Sequence, residues 1–263
     1  MRIIYAGPDH ILTVTESSRP EMHKHFFKHI VISYGAPLTF IIDGQKIVTQ
    51  GIILNSNISH TIICENEKNL NFLWEETSFL SQQIDDLFLK GQTYACLQPD
   101  LVKRIQEEKL FFTPISTIQK YEKEFYRYTE ILGLMPFIKA KRDERISQIL
   151  NYLKELTVIE PDIMTTLTEK VHLSQSRLSH LFKQEVGISL SSYLTLLKTS
   201  KAYEYVFQGE SITEAALKAG FSSSNHFAGT SKSLFGFSPS FLNKESIYLN
   251  FTQIRNDRSR EDL

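Results

Sequence analysis

The feature of this sequence that most constrains its fold is a pattern of apolar and turn-forming residues that occurs twice near the C-terminus. The first copy runs from Met164 to Gly187 and the second from Ile212 to Gly236, so the second is longer by one residue. An internal repeat is interpreted before any single segment, because it specifies the architecture of the whole region. Each copy predicts two helices joined by a tight turn, and the extra residue is expected in the second turn.

The first copy predicts a helix that presents polar side chains to solvent. Asp162 is expected to cap the first helix, His172 to form the turn, and Ser174 to cap the second helix. Leu178, Leu181 and Phe182 recur at helical spacing and are expected to point inward. The opposite face then carries residues that can hydrogen-bond to bases or phosphates. These residues are Gln175, Ser176, Arg177, Ser179, His180 and Lys183.

The second copy predicts the same arrangement with different polar residues. Ser211 and Glu214 have the spacing of a capping box, and Gly220 stands at the turn. An asparagine in the following helix can bond adenine through two hydrogen bonds, and serine can contact bases or phosphates. The residues expected to face DNA are Ser223, Ser224, Asn225, His226 and Lys232.

Composition limits the classes of protein but does not itself suggest DNA. The formal net charge is −1, which argues against indiscriminate binding to phosphates, so the case for DNA rests on the repeated pattern. The chain has no apolar run long enough to span a membrane and no secretory leader. Its two cysteines, Cys64 and Cys96, lack metal-ligand spacing. We therefore expect a cytoplasmic protein that makes no membrane contact.

The pattern along the chain predicts an α+β protein with four regions. Short β-branched runs and the hairpin signal Asp43-Gly44 predict a β-barrel or sandwich over residues 1–80, of which the barrel is the expected form. Residues 81–144 are expected to be a helical linker, residues 145–245 an all-α domain, and residues 246–263 a tail. An aromatic stripe within residues 116–132 is interpreted either as packing against the chain's own sheet or as a dimer contact.

The helical block resembles the AraC/XylS family of transcription regulators. The resemblance rests on LSQSRLSHLFKQEVGISLSSYL, followed by SITEAALKAGFSSSNHFAGTSKSLFGFSPSFL, and covers about residues 146–242. It implies a seven-helix domain whose two recognition helices enter successive major grooves. By position it places Ser176, Ser179, His180 and Lys183 near DNA from the first helix, and Ser224, Asn225 and His226 from the second.

The sequence departs from the family pattern in the second recognition helix. Where the family usually has Arg-x-Phe-Lys, this chain has Gly229-Thr230-Ser231-Lys232, which removes a basic contact and an apolar anchor. The connecting helix has Thr195 and Leu196 where basic residues are common. We therefore expect the first recognition helix to supply most of the sequence specificity.

The N-terminal region resembles the cupin-like sensory domain that often precedes this DNA-binding domain. His23, His25 and His29 share one face of an extended strand, and His60 occupies the position of a second-motif cupin histidine. Metal-binding cupins have Glu where this chain has His29. The histidines are interpreted as lining a metal-free effector pocket, as metal ligands, or as ordinary packing residues. Tyr34 and Trp74 are further candidates for effector contacts, Trp74 equally for the core.

The expected function is a transcription regulator, in the activating class, with DNA and RNA polymerase as partners. The N-terminal domain is expected to sense a small molecule or to form a homodimer, with no enzymatic activity, metal or other cofactor. Two alternatives stay open at this point. One is a cupin-type metal-binding protein or enzyme with a helical appendage, and the other is a co-regulator that acts through protein contacts.

Overall fold

The computed structural model describes residues 2–7, 9–17, 19–135, 142–160, 162–243 and 246–250. Within them a β-rich N-terminal half precedes a helical C-terminal half, which confirms the predicted α+β class. None of the helices in these ranges combines the length and the apolar character that crossing a membrane requires.

Ten strands in the described ranges form two sheets. They are β1 (Arg2–Ala6), β2 (His10–Thr15), β3 (Phe27–Ser33), β4 (Leu38–Ile42), β5 (Gln45–Thr49), β6 (Gly51–Leu54), β7 (His60–Ile63), β8 (Asn69–Glu75), β9 (Tyr94–Cys96) and β10 (Ser246–Asn250). The larger sheet has seven strands in the order β10-β1-β2-β8-β3-β6-β9, and the smaller has the order β5-β4-β7. The two sheets make up the β-rich N-terminal half, and the cupin-like barrel expected there stays a prediction.

The predicted hairpin is present between β4 and β5. Asp43 and Gly44 both have positive φ angles, 45° and 82°, which is the conformation that a two-residue hairpin turn requires. The turn sets the register in which Ile42 pairs with Gln45.

The larger sheet packs on both faces because its strands alternate two sets of apolar side chains. On β3, Ile30 and Ile32 belong to the core shared with the helices that follow, whereas Val31 belongs to the core shared with the smaller sheet. This produces three layers: the small sheet, the large sheet and a helical layer.

The helical layer contains α1 (Phe79–Ile84), continued by a π-helical turn, then α2 (Pro99–Glu108) and α3 (Ile118–Ile131). The predicted aromatic stripe lies on α3, where Tyr121 and Tyr128 are fully buried. The ring of Tyr128 stacks on Phe72 of β8 at 4.9 Å between centroids. The stripe therefore packs against the chain's own sheet, so its buried rings cannot contact a second subunit, and homodimer formation stays a prediction.

Seven helices occupy the described residues of the C-terminal half, the number that the resemblance implies. They are α4 (Glu144–Glu155), α5 (Ile163–Val171), α6 (Gln175–Val186), α7 (Leu190–Phe207), α8 (Ile212–Lys218), α9 (Ser224–Phe235) and α10 (Pro239–Asn243). Two clusters of apolar residues hold them together. Helices α4, α5 and α6 share one cluster with Tyr193 and Leu194 of α7, and α8 and α9 share the other with Tyr203 and Val206 of α7. Helix α7 is thus the connection between two helix-turn-helix units.

The two turns use different residues for the same purpose. His172 has the left-handed conformation, with φ 53° and ψ 43°. Gly220 has φ 89°, and a Cβ there would lie 2.7 Å from the carbonyl oxygen of Ile159, so only glycine fits. The recognition helices begin after Ser174 and Ser223, which align in the two copies once the extra residue is placed within the second turn. Asp162 occupies the N-cap position of α5, but its side chain makes no capping hydrogen bond.

The chain returns to the N-terminal sheet after the last helix. Residues 246–250, expected as part of a tail, form β10, which pairs in parallel with β1 from Arg2 with Ser246 to Ala6 with Asn250. The rest of the expected tail, residues 251–263, and residues 136–141 of the expected linker lie outside the described residues.

Candidate nucleic-acid interface and interdomain cavity

Helix α6 presents the predicted residues of the first unit to solvent. The hydroxyl of Ser174 caps the helix by accepting a hydrogen bond from the backbone N–H of Arg177 at 3.3 Å. Leu178, Phe182 and Val186 are buried on the inner side. Of the six residues predicted to face DNA, Ser179 is half-buried and the other five are exposed: Gln175, Ser176, Arg177, His180 and Lys183.

Helix α9 has the same construction with a polar first turn. The hydroxyl of Ser223 accepts a hydrogen bond from the backbone N–H of His226 at 3.1 Å, and the imidazole of His226 bonds to Ser222 at 3.1 Å. Phe227 is fully buried and anchors the helix. Ser223, Asn225 and His226 are exposed, and Ser224 is half-buried.

The departures from the family pattern in α9 have separate structural explanations. Gly229 is exposed, and a Cβ added there would meet nothing within 4 Å, so no packing requirement explains the glycine. Ser231 is fully buried, but its hydroxyl bonds to the hydroxyl of Tyr203 and donates to the carbonyl of Phe237 at 2.7 Å. The missing apolar anchor is thus replaced by a buried polar contact.

The C-terminal end of α9 is held by residues 20–24 of the N-terminal half, here termed the bridging segment. The backbone N–H of Glu21 donates to the carbonyl of Gly236 at 3.0 Å, and that of Lys24 donates to the carbonyl of Ser233 at 3.3 Å. The ammonium group of Lys232 forms an ion pair with Glu21 at 2.9 Å. One residue predicted to contact DNA is therefore already paired within the chain.

A cavity of about 500 Å³ lies between the seven-stranded sheet and the helical half. Apolar groups on both sides line it, among them Ile11 and Leu73 from the sheet and Leu197 and Phe235 from the helices. Three basic and two acidic side chains share the wall: Arg2, Lys154, Lys201, Glu75 and Glu204. Burial lowers the pKa of Lys201 and raises the pKa of Glu75, so the charged forms of these two side chains are weakly solvated.

The four predicted histidines meet at one end of this cavity. His23, His25 and His29 line it, and His60 packs beside them, with its ring centroid 4.5 Å from that of His23 and 4.9 Å from that of His25. All four side chains are buried. Burial lowers the pKa of His23 to about 4 and lowers the pKa of His25, His29 and His60, so the imidazoles are neutral near pH 7.

Tyr34 and Trp74 lie elsewhere in the structure. Trp74 is fully buried on the helix-facing side of β8, because it alternates with Leu73 and Glu75, which face the cavity. Tyr34 packs edge-on against Phe112 at 4.3 Å between ring centroids. Neither residue lines the cavity.

Several cavity residues carry no local sequence signal. Arg2, Lys154 and Lys201 are single basic residues far apart in the chain, and only the fold brings them together. His10 also lines the cavity, and its Nε2 bonds to the hydroxyl of Tyr121 at 2.6 Å. The alternation of β1, in which Arg2 shares a face with Ile4 and Ala6, could have indicated Arg2 had the cavity-facing side been known.

Comparison with known proteins supports the interpretation of the helical half. Residues 167–245 match a helix-turn-helix domain model. The transcriptional activator RhaS of Citrobacter koseri is 32% identical over 101 residues, which cover 38% of this chain and 36% of RhaS. An uncharacterised helix-turn-helix regulator of Staphylococcus aureus is 33% identical over 91 residues, covering 34% of this chain and 12% of that protein. The chain thus spans about a third or less of the length of these relatives.

Solved structures show a similar fold over nearly the whole chain. Apo ToxT from Vibrio cholerae superposes with a TM-score of 0.54 at 12% identity, covering 89% of this chain and 97% of ToxT. ToxT with a bound unsaturated fatty acid superposes with a TM-score of 0.53 at 13% identity, covering 89% of this chain and 95% of ToxT. At this level of identity the similarity establishes the arrangement of a β-rich half and a double helix-turn-helix half.

Proposed function

We propose that this chain, whose C-terminal half is a helix-turn-helix domain of the AraC type, is a sequence-specific DNA-binding transcription regulator. The observation that carries the proposal is the pair of capped helices α6 and α9 at opposite ends of α7, each with a buried inner face and an exposed polar one. This is the arrangement that places two helices in successive major grooves, about 34 Å apart.

The two helices have unequal roles in this proposal. Helix α6 offers Arg177, His180 and Lys183 together on one exposed face, so it reads bases and supplies most of the specificity. Helix α9 reads bases through Asn225 and His226. Its other polar residues contact the DNA phosphates and so position the protein on the duplex. The second helix is the weaker reader because Gly229 offers no side chain and Lys232 is shared with Glu21.

The cavity is proposed as the effector site. Its basic side chains outnumber its acidic ones, and its neutral histidines add no charge, so it favours a small organic anion with an apolar body. A fatty acid is one such molecule, and ToxT has been solved with an unsaturated fatty acid bound. A ligand that contacts both halves would bias their relative arrangement, which is a coupling between the two sites.

Medium-chain and long-chain fatty acids are the probes for this site. We expect the matching chain length to raise the melting temperature and to change the affinity for DNA. Replacing Lys201 with Met should weaken both effects, whereas replacing the exposed Lys103 on α2 should leave them unchanged. Absence of any fatty-acid effect on melting would exclude this class of effector.

The remaining parts of the proposal concern organisation and partners. Residues 1–80 form the sensory domain, residues 81–144 the helical linker with a dimer contact outside the buried stripe, and residues 145–245 the DNA reader. Residues 246–263 are a C-terminal segment that begins with β10. The protein acts in the cytoplasm as a homodimer and activates transcription through RNA polymerase, without catalysing a reaction itself. Sedimentation at micromolar concentration, with and without DNA, tests the dimer.

The DNA proposal is tested by fluorescence anisotropy with DNA from upstream of the protein's own gene and with a scrambled duplex, at near-physiological salt. Specific recognition predicts that the upstream DNA is preferred by a factor of ~10³ or more. Equal, weak and salt-sensitive binding to both duplexes would point to a different operator. Absence of binding at low salt would instead favour a co-regulator that acts through protein contacts.

A further inference from the structure

The bridging segment, residues 20–24, is held between the small sheet and the end of α9. On one side, His23 forms an antiparallel bridge with His60 of β7, through backbone hydrogen bonds of 3.1 Å and 2.9 Å. On the other side, the backbone N–H groups of Glu21 and Lys24 donate to two carbonyls at the C-terminal end of α9. A helix leaves its last carbonyls without internal partners, so these bonds fix the segment at that end.

The side chain of Lys24 points away from the histidine cluster. His23 and His25, its neighbours on either side, are buried, whereas Lys24 is exposed, which is the alternation of an extended segment. Within the described part of the chain, the ammonium group of Lys24 has no ion pair and no hydrogen bond. It is therefore available to a partner outside the chain.

The face of α9 that is proposed to meet DNA runs toward this segment. Asn225, Gly229 and Lys232 follow one another at spacings of four and three residues, so they share one side of the helix, and all three are exposed. Lys232 forms an ion pair with Glu21 at 2.9 Å, and the carbonyl of the next residue accepts the hydrogen bond from Lys24 at 3.3 Å. Lys24 therefore lies next to the end of that face.

The dimensions of the helix and of DNA bring this end close to phosphates. Helix α9 has 12 residues and is about 18 Å long, whereas the major groove is about 12 Å wide and about 8.5 Å deep. A recognition helix contacts base edges with its N-terminal residues. When Asn225 and His226 contact bases, the last turn of α9 is expected at the border of the groove, where the phosphate backbone runs.

The bridging segment and the last turn of α9 together carry a positive charge. Over residues 20–24 and 232–236 the charged side chains are Lys24, Lys232 and Glu21, so two positive charges and one negative leave a formal charge of +1. His23 adds none near pH 7, because burial lowers its pKa to about 4. Since Lys232 is paired with Glu21, Lys24 is the lysine in these two described ranges that can meet a phosphate without breaking an ion pair.

We propose that Lys24 contacts DNA phosphates at the border of the major groove that α9 enters, so that the N-terminal half takes part directly in binding DNA. The contact presupposes the DNA-binding function proposed above and adds a second source of charge to it. Gly229 offers no side chain to this surface, and Lys24 supplies a basic group there from the other half of the chain. Phosphate contacts position a protein without reading sequence, so Lys24 contributes affinity and no specificity.

The test compares the salt dependence of DNA binding for the unaltered full chain and for Lys24→Ala. Anisotropy titrations at several salt concentrations use the upstream duplex and the scrambled duplex. Loss of one phosphate contact should reduce the slope of log affinity against log salt by about 0.9. The fall in affinity between about 50 mM and 200 mM salt should then be about 3.5-fold smaller. Both duplexes should be weakened by a similar factor, and Lys24→Arg should restore the slope.

Lys46→Ala is the matched control for the loss of one positive charge from the N-terminal half. Lys46 is exposed and lies on β5, at the edge of the small sheet opposite to β7, which borders the bridging segment. We expect this variant to keep the salt slope of the unaltered chain. Equal slopes for Lys24→Ala and Lys46→Ala would overturn the proposal, because the position of the charge would then not matter.

Thermal melting separates a DNA contact from a role in stability. A cation near the C-terminal end of a helix can stabilise it through the helix dipole, and Lys24 has such a position. We expect Lys24→Ala to keep the melting temperature and to lose salt slope. A lowered melting temperature with an unchanged slope would assign Lys24 to the helix end alone and refute the contact.

The two duplexes also distinguish failure of the contact from failure of sequence recognition. Binding to the scrambled duplex at low salt depends on phosphates alone, so its slope reports the contact even when the upstream DNA holds no operator. A smaller slope for Lys24→Ala on that duplex would support the contact. Absence of DNA binding by the unaltered chain at low salt would overturn both the contact and the proposed function.

Discussion

Individual residues of α9 show how this domain departs from the pattern of the family that it resembles and still forms the same helices. At the position of an apolar anchor, Ser231 is fully buried and replaces lost packing with hydrogen bonds to Tyr203 and to the carbonyl of Phe237. At the position of a basic contact, Gly229 leaves open space on the exposed face. The first change is compensated inside the protein, and the second leaves a surface position open to substitution.

Replacing Ser231 with Ala should destabilise the protein by about 1–3 kcal/mol, because the hydroxyl of Tyr203 and the carbonyl of Phe237 lose a buried partner. Chemical denaturation gives the free energy of unfolding. A double-mutant cycle with Tyr203→Phe measures the interaction energy between Ser231 and Tyr203. The double variant should lose less stability than the sum of the losses of the two single variants. Strict additivity would show that the contact contributes nothing.

Replacing Gly229 with Ala should stabilise α9 by about 1 kcal/mol, because glycine in a helix interior costs that much relative to alanine and the new methyl group meets no neighbour. Replacing it with Arg should in addition strengthen DNA binding and raise the dependence of affinity on salt by about one charge. Thermal melting and anisotropy at several salt concentrations measure the two effects. An arginine variant with an unchanged salt slope would place this face of α9 away from the phosphates.

At the scale of secondary-structure elements, local chemistry was predictable from the sequence and long-range packing was not. The Asp43-Gly44 hairpin, the capping box at Ser211 and the left-handed turn at His172 are confirmed, since each is fixed by residues a few positions apart. The pairing of β10 with β1 joins residues from the two ends of the chain and has no local signal.

The histidine cluster could be predicted only in part from the sequence. The sequence predicts three histidines on one face of a strand, but only His29 lies in β3, and His23 and His25 precede it in the chain. The sequence also could not show which face of the sheet borders the cavity. For the same reason Trp74, on the opposite face of β8, was a candidate for the cavity as well as for the core. The ring of His29 bonds to Asn71, which no motif indicates.

The exposed face of α6 makes a prediction at this scale. Replacing His180 and Lys183 together with Ala should weaken binding to the specific operator and lower the salt slope by about one, since one phosphate-contacting charge is lost. Lys103→Ala on α2 removes an equal charge outside the helix-turn-helix units and is the control. Undiminished affinity in the double variant would mean that a different face of α6 enters the groove.

At the scale of the whole molecule, the bridging segment connects the β-rich N-terminal half to the helical half. Lys232 and Glu21 are 49% and 67% exposed, so their ion pair contributes at most about 1 kcal/mol. That amount is small for stability, but it acts on a residue proposed to contact DNA. We therefore expect the pair to lower the affinity for DNA in the arrangement described here.

Replacing Glu21 with Gln should raise the affinity for DNA by up to about fivefold, the factor that corresponds to 1 kcal/mol, because Lys232 becomes free for phosphate. Lys232→Ala should lower the affinity, and in that background Glu21→Gln should have no further effect. Anisotropy titrations of the three variants make this comparison. A rise in affinity from Glu21→Gln in the absence of Lys232 would assign the effect to general charge.

The parallel pairing of β10 with β1 limits how the two halves can move. The helical half follows the helices packed on the large sheet and ends in a strand of that same sheet, so it is attached at both ends to one body. A domain attached at one end can separate from its neighbour in any direction. One attached at both ends has fewer ways to move, because both attachments must be kept. Because the cavity lies between the two halves, we expect the size of an effector bound there to influence the angle at which α9 meets DNA.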